Sequence, residues 1–520
     1  MMKNRILLIN PPWITKDQNV WHGIKAAMPP LSLLSLAAVL EGDGFDVQIL
    51  DIHVEKLAEI EVKSRIRDFS PQIIGVTIMT STAITGHRVA QIAREALTDA
   101  TIVVGGVHPD AVPVETLRNR AIDYVVHGDG EYTFRDICQE KRPETIHGIS
   151  YRESGVVIRT PDRPLERDLG AFPPYAYHLI NFDQYYPAIG AYKRLPAINM
   201  LMTRGCPGKC IFCNSAETLL RCRPASQIVD EIIKLRDTYG IREIQFYDDT
   251  FTVLKKNVFE FCRLMKERNV GVTFSCFARA DCFSEQMAIA LKDAGCHQVM
   301  FGVESASRDM LRILQKDINL DRTKSAIAIA KNVGIDVRAA FLFGTPGETK
   351  STIQETVDYA ITLDPDIAIF NIITPYPGTQ LYAWAEKNEL LQTKDWWDYE
   401  LGQSIIDIPT ISPDELKAGY IWAFRKFYNR PKVYLRRLRA IHSLTHLRDT
   451  IEAFFQIFFR AAIWRANRHE KEWTRHNRGD FFDLDLGTEV SKAKIPDVLA
   501  KLPVFHRTSS NSATEVRASG

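Results

Sequence analysis

Between Ile198 and about Leu391 the chain switches repeatedly between two hydrophobic periods. Nearly continuous apolar runs, "AINMLMT", "REIQFYDD", "GVTFSCFAR", "HQVMFGVES", "IDVRAAFLFG" and "PDIAIFNII", read as strands buried on both faces. Stretches with helical spacing separate them, such as "SQIVDEIIKLRDTYG" and "DRTKSAIAIAKNVG", several ending at a glycine that stops a helix. Parallel strands need crossover connections, usually helices. The rhythm therefore predicts six β/α units. Eight would close a barrel; six predict an open, partial barrel with its polar and glycine-rich chemistry at the C-terminal strand ends.

The rest of the chain must be organised around that unit. With 520 residues, two to four domains are expected. The first 140 residues carry five strand patterns, "NRILLIN", "FDVQILD", "PQIIGVTIMT", "ATIVVGGVH" and "AIDYVVHGD", with helical stretches between them. They predict a doubly wound parallel sheet whose ligand lies along the C-terminal strand edge. That edge presents Asn10, Asp51, Thr77, Gly105, Gly106, Gly128 and Glu131. No G-x-G-x-x-G follows the first strand, so a dinucleotide site is a poor fit. The reading in full is α/β. A cofactor domain over 1–142 leads to a hairpin and a Pro- and Tyr-rich linker over 143–195. The barrel core spans 196–391, a helical, basic region 392–480, and a mostly disordered tail 481–520.

Charge and cysteine usage narrow the function. Net charge is +1, which gives no global field for nucleic acid. The opening "MMKNRILLINPPW" reads as a strand and not as a signal peptide, and no apolar run is long enough to span a bilayer. A cytoplasmic chain with reduced thiols is expected. Three of the nine cysteines nevertheless crowd into "TRGCPGKCIFCNS", where Gly205, Pro207 and Gly208 break regular structure. Such a loop lets Cys206, Cys210 and Cys213 converge on one object. A closed structural zinc site wants four ligands, and no matching pair follows. An iron–sulfur cluster is usually held by four thiolates; three leave one iron open. Cys138, Cys222, Cys262, Cys276, Cys282 and Cys296 are scattered and read mainly as packing residues.

The C-x₃-C-x₂-C loop, with Phe212 before its last cysteine, resembles the radical S-adenosylmethionine (SAM) superfamily. The resemblance implies a single 4Fe-4S cluster on Cys206, Cys210 and Cys213, with SAM chelating the fourth iron. It also implies that strand-end residues contact SAM: Asp248 in "YDDTF", Arg279 in "FARAD", Glu304 in "GVES" and Gly344 in "GTPGET". The glycine pair and "GDGE" of the first domain look like the cobalamin-binding domains that precede many radical SAM cores. Bare glycines there would make room for the cobalamin nucleotide tail. The loop after the first strand, "NPPWITKD", has no histidine, and "DIH" at Asp51–His53 lacks a trailing glycine; cobalt is expected to have no protein imidazole.

Together the two domains resemble the cobalamin-dependent radical SAM family, which implies C-methylation of an unactivated carbon using two SAM. A flavodoxin- or ferredoxin-type electron donor would be the protein partner, and a small molecule the substrate. Cyclisation, oxygen insertion, methylation of a soluble antibiotic precursor, a radical SAM enzyme without cobalamin and a non-catalytic cobalamin sensor are the other readings. From Arg425 to Arg468 there are eleven Lys/Arg against two Asp/Glu, around "IEAFFQIFFRAAIW". A basic aromatic segment reads either as an interfacial anchor or as a helix packed on the barrel. The anchor reading puts the protein at the inner membrane face and favours a lipophilic substrate, hopanoid-like or tetrapyrrole. "KDWWDYELGQ" is expected to cap the open barrel.

Overall fold

A computed structural model describes residues 4–14, 26–188, 190–439, 472–482, 484–486 and 493–502. Strands β1 (Arg5–Asn10), β2 (Asp46–Asp51), β3 (Ile73–Thr77), β4 (Thr101–Gly105) and β5 (Tyr124–Val126) form the expected parallel sheet. Successive residues of β1 point to opposite faces: Ile6 and Leu8 into one core, Leu7 and Ile9 into the other, as the two-residue period of a strand requires. Helices cover both faces, one being Leu31–Gly42 on the Ile6/Leu8 side. The hairpin assigned from sequence to the linker belongs instead to this sheet. Its strands β6 (Ile149–Glu153) and β7 (Val156–Arg159) add antiparallel to β5, giving the order β2-β1-β3-β4-β5-β6-β7. The exposed backbone edge of β5 is paired in this way.

Strands β8 (Ala197–Met200), β11 (Glu243–Phe246), β12 (Thr273–Ala278), β13 (Cys296–Glu304), β14 (Asp336–Phe343) and β15 (Ile367–Ile372) make a six-stranded parallel sheet in the order β15-β14-β13-β12-β11-β8. The short β9 (Thr203–Arg204) and β10 (Arg221–Cys222) pair antiparallel around the cysteine loop. The open barrel is therefore present. Its outward residues, among them Phe246, Phe274, Phe301, Phe341, Phe343 and Phe370, form one core with the surrounding helices. The helix Pro413–Tyr428 starts with a Ser412–Glu415 capping box and packs Phe424 edge-on against Phe370 at 5.3 Å. Asp364 then ties the following turn and helix to the barrel, pairing with Arg430, Lys432 and Arg436.

The Trp-rich segment departs from expectation. It does not cap the barrel but straps the two sheets together. At one end the Ile372 amide donates to the Leu401 carbonyl (3.0 Å). At the other, Trp396 Nε1 donates to Glu115 (2.7 Å) and its ring lies edge-on to His108. Trp396, Trp397 and Tyr399 are buried in the core of the first domain, in one cluster with Ile84 and Val89 of the helix Ala83–Ala96 and Leu117 of the helix Pro113–Leu117. Trp473 joins the same core and donates to the Leu57 carbonyl (3.2 Å). In the stretch expected to be tail, Phe481 and Leu499 are both buried. The segment "IEAFFQIFFRAAIW" lies outside the described residues.

Glu59 is the hinge pin of this C-terminal return. Arg88, Arg475 and His476 all reach its carboxylate. Burial alone would raise its pKa, but the hydrogen bonds from His476 and Arg88 outweigh that and hold it at about 2. A carboxyl depressed in the fold stabilises it above the unfolded pKa and loses that contribution as pH falls. Docking of residues 472–482 is therefore expected to weaken between about pH 4.5 and pH 2, and Glu59→Gln should remove that acid-dependent step. Hydrogen exchange at the Trp473–Phe481 amides measures it; equal acid sensitivity in the variant would refute the assignment.

Candidate functional site: a glycine-lined cavity joined to a three-cysteine loop

The cysteine loop is held from all sides by the backbone. Ile211 is fully buried; its amide donates to the Leu314 carbonyl (3.1 Å) and its carbonyl accepts from Leu381 (2.9 Å). Glu217 donates to the Gly208 carbonyl (2.7 Å), and Thr218 to that of Cys206 (3.1 Å). Gly205 has φ +95°, and a Cβ there would sit 2.3 Å from the Leu219 carbonyl oxygen, so only glycine passes. Asp248 fixes the approach to the loop: it is fully buried and accepts from the amides of Met202 (3.1 Å) and Thr203, and from Thr203 Oγ1 (2.6 Å). Burial pushes its pKa up to about 7 against those hydrogen bonds. The structure thus turns Asp248 toward the loop backbone, a different role from the SAM contact expected of it.

The three thiols are near enough to act on one another: Cys206 bears on Cys210, and both bear on Cys213. Cys206 Sγ accepts from the Gly208 amide (3.4 Å). Burial pushes the Cys210 and Cys213 thiols up as free groups. Among the described residues no trio of His, Cys, Asp or Glu is set to hold a single metal ion. A cluster asks for less, because each thiolate binds a different iron, and three thiols on a loop held by backbone hydrogen bonds suit it. A cavity of ≈570 Å³ opens beside Cys210, lined also by Arg279, Cys282 and Lys316. Arg279 pairs with Asp281 (2.8 Å). Glu304, at φ +61°, pairs with Lys316 (2.9 Å). Lys316 had no local signal, since its partner lies twelve positions upstream. Gly344 lies apart, against Leu416, Ile373 and Ile408.

The second cavity, ≈290 Å³, runs along the C-terminal edge of the first sheet. Thr77, Gly105, Gly106, Gly128 and Glu131 all line it, opposite Leu33 and Leu36 of the first helix. Gly106 is required by conformation: at φ +112° its Cβ would meet the Ile78 carbonyl oxygen at 2.5 Å. Gly105 serves by its size. A Cβ there would meet only Val126, at 3.7 Å, so a larger side chain fills cavity, not protein. This apolar slot with bare backbone on one wall fits a flat nucleotide base. Asn10 and Asp51 are not among its lining residues. They bond each other (2.9 Å), and Asp51 also accepts from Tyr185 of the linker (3.0 Å); burial raises its pKa. His53 accepts from the Trp13 amide (3.3 Å).

Ion pairs join the glycine slot to the strands that carry the cysteine loop. Arg204, two residues before Cys206, lines the glycine slot and donates to Glu131 (2.7 Å) and Ser35 (3.3 Å). Glu131 also accepts from Ser35 Oγ (2.6 Å). Arg221, on the strand paired with that of Arg204, donates to Asp129 (2.6 Å). Burial would lower the Arg204 pKa, but Glu131, Tyr175 and Asp129 raise it further than burial lowers it. The sequence marks Arg204 only by its place beside the cysteines; its partner lies 73 positions away.

Comparisons with known proteins agree with this arrangement. A family model described as the radical SAM superfamily matches residues 200–360, and one described as a B12 binding domain matches residues 22–138. The chain is 32% identical over 465 residues to an uncharacterized methyltransferase of Pyrococcus horikoshii, covering 88% of this chain and 99% of that one. It is 27% identical over 438 residues to the anaerobic magnesium-protoporphyrin IX monomethyl ester cyclase of Rubrivivax gelatinosus, covering 82% and 77%. In fold it is similar to the radical SAM methyltransferase TsrM of Kitasatospora setae, solved with cobalamin and a [4Fe-4S] cluster bound. The TM-score is 0.66 at 19% identity, over 89% of this chain and all of that one.

Three substitutions separate the cavities. Cys210→Ala is expected to abolish bound iron after anaerobic reconstitution, while Cys222→Ala keeps it; iron and sulfide analysis decides. Gly105→Leu is expected to weaken cobalamin binding by about tenfold or more with iron content unchanged. Unaltered cobalamin uptake in that variant would remove the slot from the cofactor site.

Proposed function

The chain belongs to the cobalamin-binding branch of the radical SAM superfamily, and from that premise we propose that it methylates a carbon of a small molecule. When bound, the 4Fe-4S cluster with SAM supplies a 5′-deoxyadenosyl radical, and cobalamin supplies a transferable methyl group. The chain's own residues supply position and dryness. Cys206, Cys210 and Cys213 hold the cluster at the mouth of the barrel. Thr77, Gly105, Gly106, Gly128 and Glu131 cradle cobalamin. Arg279, Glu304 and Lys316 offer charged groups to SAM beside Cys210, and Arg279 presents a planar fork suited to a carboxylate. The Arg204–Glu131 pair is the observation that carries the reading: it fixes the cluster loop against the rim of the slot, and fixed separation is what two-cofactor chemistry needs. The buried walls around it exclude water from reactive species.

Two SAM per methyl transferred and a lipophilic acceptor complete the proposal, a tetrapyrrole ahead of a hopanoid-like lipid. Phe277, Met300 and Ile369, at inward positions of the barrel, support an apolar acceptor. Electrons would come from a flavodoxin- or ferredoxin-type donor. No helix among the described residues is long and apolar enough to cross a membrane. The basic segment around residues 425–468, with Leu435 exposed on its first helix, supports contact of a cytoplasmic protein with an anionic membrane face.

The stoichiometry of products tests the reaction class. Reduced, reconstituted protein given SAM and a magnesium tetrapyrrole is expected to release 5′-deoxyadenosine and S-adenosylhomocysteine in nearly equal amounts, with a product one CH₂ heavier. Release of 5′-deoxyadenosine without S-adenosylhomocysteine would favour cyclisation or oxidation and reject methylation.

A further inference from the structure

The inward face of the barrel carries polar groups that the fold itself does not satisfy. Buried atoms without a hydrogen-bond partner include Asn199 Oδ1, Gln298 Oε1, Arg338 Nε and Asn371 Oδ1, all on strands of this one sheet. Alternation along the strands sets their direction. Val337 and Ala339, flanking Arg338, are fully buried in the outer core against the helices, so Arg338 faces the lumen.

The register shows what surrounds it. Asn199, Gln245, Ser275 and Gln298 stand side by side in one row across the strands. That row is the floor, because the linker closes it from below: Gln245 donates to the Ala191 carbonyl (2.7 Å), and Gln298 to that of Gly190 (3.1 Å). One layer up, Phe277 pairs with Met300, Met300 with Arg338, and Arg338 with Ile367. Tyr247 joins this layer by stacking on Phe277, with centroids 5.8 Å apart and planes 15° apart. The Tyr247 hydroxyl is engaged with Gln245 (3.1 Å).

Among the described residues Arg338 makes neither hydrogen bond nor ion pair. The ionisable groups acting on it are two neutral phenols, Tyr247 and Tyr428, and burial lowers its pKa. The acidic residues nearest in register are otherwise used: Asp366 accepts from the Val337 amide (2.8 Å) and pairs with Arg436 (3.2 Å), and Asp336 lies in the row below. Arg338 is half-buried and its Nε is fully covered; a guanidinium so placed with no counter-charge is costly, and its fixed fork matches a carboxylate or phosphonate in two parallel hydrogen bonds. Arg279, and not Arg338, lines the cavity beside Cys210.

We propose that Arg338 is the substrate's anion-recognition residue: the lumen takes a small molecule bearing a carboxylate or phosphonate, whose oxygens meet the Arg338 fork while its apolar, flat body lies on Tyr247, Phe277 and Met300. This rests on the reading of the lumen as the acceptor chamber. It sharpens the acceptor class, since a tetrapyrrole with a free carboxylate satisfies Arg338 and a neutral polycyclic lipid does not.

The test uses reconstituted protein and two probes of one shape, 1-naphthoate and its neutral amide, 1-naphthamide, in calorimetric titration. Wild type is expected to bind the carboxylate at least about tenfold tighter than the amide. Arg338→Gln should level the two, and Arg338→Lys should keep part of the preference. A crystal soaked in selenate should show anomalous density at Arg338 that is absent in Arg338→Gln. Equal affinity for the two probes, no binding of the carboxylate, or a preference that survives Arg338→Gln overturns the proposal. Neither probe is a methyl acceptor in the assay, so such a failure leaves methyl transfer standing. Loss of S-adenosylhomocysteine formation with the carboxylate preference intact would be the failure of that reading instead.

Discussion

Everything in this molecule turns on the buried pair between Arg204 and Glu131. Each partner is placed by a different sheet: Glu131 begins the helix after β5, and Arg204 sits in the two-residue ladder that introduces the cysteine loop. Neither is free to move alone. Ser35 bonds both side chains, Phe172 lies under the guanidinium, and Asp129 is shared with Arg221. A buried pair gives little net stability against an apolar replacement, but removing one partner strands the other at a cost of about 3–5 kcal/mol. Its value is geometric. It sets how far the glycine slot stands from the cysteines, and a site built on two cofactors depends on that distance.

The same logic of supporting shells recurs on both sides of the pair. Asp248 spends its hydrogen bonds on the backbone entering the loop, and Asp51 spends its own on Asn10, Tyr185 and the turn after β2. Both carboxyls are raised in pKa by burial, as expected for groups surrounded by neutral donors instead of cations. They are framework. Arg279 and Lys316, each paired with one carboxylate, line the cavity beside Cys210, and Arg338 stands without a partner among the described residues of the lumen.

Local chemistry was legible in the sequence, and distant pairing was not. The cysteine loop is read from eight adjacent positions, and the β/α rhythm from periods shorter than a turn of helix. The glycine edge followed from strand-end logic, and five of its residues meet in one cavity. Asn10 and Asp51 share that edge by topology but lie at strands on the far side of the sheet, where the linker covers them. The hairpin is legible in the sequence but its place is not, because nothing local says that β6 pairs back to β5. Trp396 and Trp397 looked like a barrel cap because they are apolar and follow the barrel; their partners, Glu115 and the His476 carbonyl, are far off in both directions. Arg338 reads in sequence as one charge in an apolar strand. Its meaning appears only when the register shows four strands contributing to its layer.

The strap has a consequence for how the protein is made. The first sheet is nearly all synthesised within its opening 159 residues, yet one of its two faces is finished by Trp396, Trp397, Tyr399, Trp473 and Phe481. At roughly 5–20 residues per second of translation, that face waits about 16–64 s for its last aromatic cover. During that interval an apolar surface is presented by an otherwise folded nascent domain. The architecture that looks modular from end to end is therefore topologically closed. Its amino-terminal unit is completed last, and chaperone demand during synthesis should concentrate on the face around Ile84, Val89 and Leu117.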